Sequence, residues 1–154
     1  MPCWGIILLS PLLTAVPVTW AGEATALSPL DFGAIDLNPG GDTIVIAANN
    51  GPAFPKGGRS VVTGGGSGLI SLAANLGVEE LVNIGYPDTI PLKCEGHQIS
   101  LTGISNYSQY ASTDILLTDD GAPVHVSIGG NLVLQGNETE CHYVGDMLLQ
   151  LNFE

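Results

Sequence analysis

Cys94, His97, Cys141 and His142 are the densest gathering of metal-ligating residue types in this 154-residue sequence. Two thiolates and two imidazoles hold zinc when all four aim at one point. Cys141 and His142 are adjacent, and on a strand adjacent side chains leave on opposite faces. An oxidising compartment would also compete for both thiols. We therefore expect Cys94 and Cys141 to form a disulfide, and no metal or other cofactor.

The remaining reactive residues fail as catalytic sets. Ser67 sits in the run Gly64-Gly65-Gly66-Ser67-Gly68, which lacks the final glycine of a nucleophile elbow and the lysine of a phosphate loop. A turn between strands accounts for it. Asp114, Asp119 and Asp120 are oxygen ligands without a calcium-loop register, and Asp119-Asp120-Gly121 reads as a hairpin turn. His125 alternates with Val124 and Val126, which places it on the solvent face of a strand. No nucleophile, base and orienting group come together, so the sequence reads as non-enzymatic. The residues best suited to a ligand loop are Tyr107 and Tyr110. Phe54 and Tyr86 are the other loop aromatics.

Fifteen acidic residues stand against three basic ones, Lys56, Arg59 and Lys93, for a formal charge of −12. Phosphate backbones need a basic footprint, so nucleic acid is excluded as a partner. Ile6-Ile7-Leu8-Leu9 and Leu12-Leu13 form an apolar stretch followed by small residues. This is the pattern of an export signal over residues 1–26, cleaved after Ala21 or after Ala26, although no Lys or Arg precedes it. The stretch is too short and proline-broken to span a membrane, so an integral membrane protein is not expected. Its removal takes Cys3 and leaves an even cysteine pair, as a secreted or cell-surface protein would carry.

The elements that would position these residues are strands. With 12% charged residues, 21 Gly and 10 Pro, the composition favours short strands and tight turns over surface helices. Strands are expected at 30–37, 42–48, 59–63, 69–75, 80–85, 98–104, 113–117, 122–128, 131–135 and 146–153. In the last, Met147, Leu149, Leu151 and Phe153 share one face. Residues 73–81 have a weak helical pattern. The expectation is one all-β domain, a β-sandwich, over residues 27–154.

The order of segments resembles a family of secreted bacterial domains of unknown function, similar to spore coat protein U and to chaperone–usher pilin subunits. The match runs through Leu30-Asp31-Phe32-Gly33, the strand Thr43-Ile44-Val45-Ile46, and Val61-Val62-Thr63 with its glycine-rich turn. It continues through Val126-Ser127-Ile128-Gly129-Gly130-Asn131-Leu132 and ends at Tyr143-Val144-Gly145 before an alternating strand. The resemblance departs at Cys141 and His142, where glycine is usual. It implies an immunoglobulin-like sandwich, incomplete in the pilin manner, whose partners are pilin-like subunits joined by strand complementation. The implied role is a secreted, fimbria-like or adhesive surface subunit. The composition leaves a second role open, a self-contained carbohydrate-binding module.

Overall fold

The computed structural model describes residues 2–8, 22–49, 51–107 and 114–153, with the backbone alone described for 2–8 and 107. Every regular element among them is a strand. Alternation of apolar and polar residues drives this, because a period of two presents one face to a core and the other to water. The strands are β1 (Pro2–Leu8), β2 (Glu23–Ser28), β3 (Leu30–Asp36), β4 (Asp42–Ile46), β5 (Ala53–Pro55), β6 (Val61–Thr63) and β7 (Gly68–Ala73). They are followed by β8 (Glu80–Gly85), β9 (Thr89–Cys94), β10 (His97–Tyr107), β11 (Asp114–Leu117), β12 (Val124–Leu134), β13 (His142–Asp146) and β14 (Gln150–Phe153).

A long sheet runs β2-β7-β12-β10-β9-β13-β1-β3-β6, with β4 on β12 and β5 on β4. It curls so that β5 comes against β6. The second sheet is β11-β8-β14. Their inner faces share one core, in which Leu30, Phe32, Leu72, Leu92 and Leu101 of the long sheet join Val82, Ile115 and Leu117 of the short one. The expected all-β sandwich is therefore the observed architecture.

Two glycines stand where neighbouring backbone leaves no room for a side chain. One edge of β12 is shared, with Val124–Ile128 on β7 and Gly130–Leu134 on β4. At Gly129, between them, a Cβ would collide with the carbonyl oxygen of Ile46 and the backbone of Ala47 and Ala48. The expected strands 122–128 and 131–135 are thus one strand that changes neighbours at Gly129, and not two strands separated by a turn. Gly33 has a φ of +70°, and a Cβ there would meet the backbone of Thr63 and Gly64. Glycine tolerates that region at little cost.

Other expectations need correction. Residues 73–81 hold no helix: Ala73 ends β7, Glu80 begins β8, and between them a turn is closed by Val78 N–H donating to the Asn75 carbonyl, with Leu76 80% exposed. No buried stripe exists there to reward a helix. Asp119-Asp120-Gly121 is a turn, but it joins β11 of the short sheet to β12 of the long one, so it closes no hairpin. The expected strand 146–153 enters its ladder only at Gln150, opposite Gly85. Its facing holds, with Met147 buried and Leu148 exposed.

Asp42 organises the chain between β5 and β6. Its carboxylate is buried and accepts hydrogen bonds from the backbone N–H groups of Thr43 (2.8 Å), Gly57 (2.8 Å), Arg59 (3.1 Å) and Ser60 (3.0 Å). Burial pushes the carboxyl pKa up, but the four N–H donors outweigh it and hold it below the usual range. A depressed folded pKa stabilises the fold above the unfolded value and loses that contribution as pH falls through the folded one. Asp42→Asn turns an amide N–H₂ toward backbone donors and is expected to cost about 2 kcal/mol at pH 7. In urea titrations the gap from the natural protein should narrow as pH drops below about 4.

Candidate functional site

The candidate site is a strand slot between β3 and β13. β1 fills it. It runs antiparallel to β3 over six positions, from Pro2 opposite Asp36 to Ile7 opposite Leu30. On its other side it runs parallel to β13 over five, from Trp4 opposite His142 to Leu8 opposite Asp146. This is the one parallel pair among the described strands. Its occupant overlaps the start of the apolar stretch, at Ile6-Ile7-Leu8, that is expected from the sequence to belong to an export signal.

β13 depends on that occupant. Its other neighbour, β9, meets it at a single ladder position, Val144 opposite Lys93. Pro91 in β9 supplies no N–H to a ladder, which explains part of this poor pairing. Covalent and side-chain links compensate. Cys94, at the end of β9, is bonded to Cys141, one residue before β13, with 6.1 Å between the Cα atoms. The expected disulfide is therefore present, and it consumes both thiols of the hypothetical zinc set. Tyr143 is 1% exposed and donates its hydroxyl to the Thr139 carbonyl at 2.9 Å. Anchoring the corner before a strand through a tyrosine hydroxyl is a device of immunoglobulin-like sandwiches.

The other candidate residues are dispersed. His97 is exposed, with Nδ1 3.3 Å from the Thr139 hydroxyl, at the edge of a cleft of about 420 Å³. Glu138 lines the same cleft, but its oxygens accept from the N–H groups of Gln135 and Gly136. His125 is exposed between buried Val124 and Val126, as expected. Asp114 accepts a hydrogen bond from Asn83 on β8, while Asp120 accepts from Thr118 and Ala122 within its own turn. These bonds hold the Asp120 carboxyl below its usual pKa. Among the described residues no three His, Cys, Asp or Glu converge on a point. The glycine run around Ser67 is a connection between strands, tied down where Asp31 and Gly66 exchange two backbone hydrogen bonds.

Of the expected ligand tyrosines, Tyr107 lies at the end of β10 with its backbone opposite Ser127. Its side chain, and Tyr110 entirely, lie outside the described residues. Tyr86 is not offered to a ligand, because its ring packs on the core. Its hydroxyl is buried without a hydrogen-bond partner among the described residues, and burial pushes its pKa up. Tyr86→Phe removes a desolvated polar group and should raise stability by about 1 kcal/mol, read as a shift in the urea midpoint at unchanged slope. Phe54 is the aromatic that stands out, 45% exposed on β5.

Comparison with protein-family models, with curated proteins and with solved structures finds no match to this chain. Among the described residues no helix is long and apolar enough to cross a membrane.

Proposed function

We propose that this chain is an exported, non-enzymatic surface subunit of fimbria-like type, which acts by taking a strand into the slot between β3 and β13. The observation that carries this reading is the filling of that slot by Pro2–Leu8, the segment with the character of a removable leader. In the full-length chain the leader completes the sheet from within. After cleavage at Ala21 two strand edges face each other across a gap. Such edges recruit any strand that satisfies their N–H and C=O groups. Cleavage after Ala26 would cut β2 inside its ladder, where Ala26 lies opposite Ile70, whereas cleavage after Ala21 keeps β2 intact, which favours Ala21.

Three further features support the reading. The disulfide suits an oxidising compartment. The tyrosine anchor before β13 suits an immunoglobulin-like scaffold. The acidic balance keeps an apolar-rich surface protein soluble.

The test is to follow the native chain in exported material on denaturing gels with and without heating. Strand-complemented assemblies survive detergent and collapse on heating. A chain that runs as a monomer in unheated samples, with its leader removed, would overturn the proposal.

A further inference from the structure

The outer face of the long sheet carries a second feature, far in kind from the strand slot. A cleft of about 250 Å³ is lined by Thr43, Val45, Phe54, Lys56 and Asn131. Strand register builds it. Val45 lies opposite both Phe54 on β5 and Asn131 on β12, which forms one row across three strands. Lys56 N–H bonds the Thr43 carbonyl, and Thr43 lies opposite Val133, which forms the next row. Phe54 is 45% and Val133 52% exposed. Asn131 spreads its amide over Gly103, whose missing side chain leaves room for it. The result is an apolar floor with an aromatic wall, one amide, one hydroxyl and one ammonium.

We propose that this cleft binds a single carboxylated sugar ring, of the uronic-acid type, within an acidic polysaccharide. A pyranose presents one face of polarised C–H bonds, which pack against the electron-rich face of an aromatic ring. Its equatorial hydroxyls then reach Asn131 and Thr43, both able to donate and accept. The cleft is smaller than the roughly 300–1,000 Å³ of drug-sized pockets, so it holds one ring and not a chain.

Charge selects the acidic ring over a neutral one. The chain has only three cations, and two of them, Lys56 and Arg59, stand on the one turn beside the cleft. Lys56 makes no ion pair among the described residues. The nearest acid in sequence, Asp42, is turned inward onto four backbone N–H groups. Charges more than about 8 Å from the ammonium are largely screened at physiological salt. The free ammonium therefore decides the contact, as a charge-assisted hydrogen bond to carboxylate.

The probe is oligogalacturonate, with its methyl-esterified, uncharged form as control, titrated into the full chain by calorimetry. Saturable binding is expected, about tenfold or more tighter for the free acid than for the ester, since one such bond spans that factor. Phe54→Ala should abolish detectable binding of both. Lys56→Gln should erase the preference for the acid, and Lys56→Arg should keep it. Thermal melts check that these exposed-site variants stay folded. Absence of saturable binding, equal affinity for acid and ester, or unchanged binding in Phe54→Ala would overturn the proposal. None of these outcomes touches the strand slot, whose test is assembly.

Discussion

Deleting residues 1–21 is expected to destabilise the domain by on the order of 5 kcal/mol and to strip hydrogen-exchange protection from His142–Asp146 first. The slot strand makes five ladder pairings with β13 and six with β3. Each ladder hydrogen bond is worth about 0.5–1.5 kcal/mol net. The loss falls unevenly, because β3 keeps β6 and the core contacts of Leu30, Phe32 and Ile35, whereas β13 keeps one ladder pair, the disulfide and Tyr143. A peptide spanning Pro2–Leu8 should restore protection to β13 in a saturable manner. At one hundred times its Kd it returns about 2.7 kcal/mol, close to half of the loss. The covalently attached strand does better because its effective concentration is millimolar without addition. A truncated chain as stable as the full one, with β13 still protected, would show that the slot is closed by other means.

Much of this architecture is written in local pattern. Strands 80–85 and 30–36 read directly, since Leu30, Phe32 and Val82 announce buried faces between turn residues. The motif glycines were visible as punctuation, yet their function was not. Gly129 reads as a turn because glycine pairs usually are turns, while here it lets one strand pass from β7 to β4. That distinction depends on Ile46, which lies far away in sequence. β9 escaped because Pro91 argues against a strand, although its two-residue Glu95-Gly96 connection, both at positive φ, is ordinary hairpin chemistry. β2 escaped for the opposite reason. Its alternating small residues Ala24 and Ala26 look like a cleavage region. The slot itself was legible only as two unrelated features, an apolar N-terminal stretch read as an export signal and a strand-rich domain. Nothing in either segment says that Pro2–Leu8 pairs with residues more than 130 positions away. Of the cleft beside β5, the sequence showed only Phe54 as a loop aromatic and Lys56 as one of three cations, and its third wall, Asn131, comes from a distant strand.

Breaking the disulfide is the second large effect. Cys94 and Cys141 are 47 residues apart, and in the chain-entropy model closing such a loop stabilises the fold by about 4 kcal/mol. The double variant Cys94→Ser, Cys141→Ser should therefore melt roughly 10–15 °C lower than the oxidised protein. Loop entropy is a property of the unfolded chain and would add independently to any other change. Its position predicts something more specific. With β1 in place, β13 is held on one side by five pairings, and the disulfide is partly redundant for that strand. With residues 1–21 removed, the sulfur bridge and one ladder pair are what keep β13 beside β9. The two losses should then exceed their sum by about 1–2 kcal/mol, as coupled sites do in a double-mutant cycle. Urea unfolding of the four forms measures it. Strict additivity would mean that the bridge only shortens the unfolded chain. A positive coupling would mean that the bridge holds β13 in place when β1 is absent, which the proposed uptake of a strand into the slot requires.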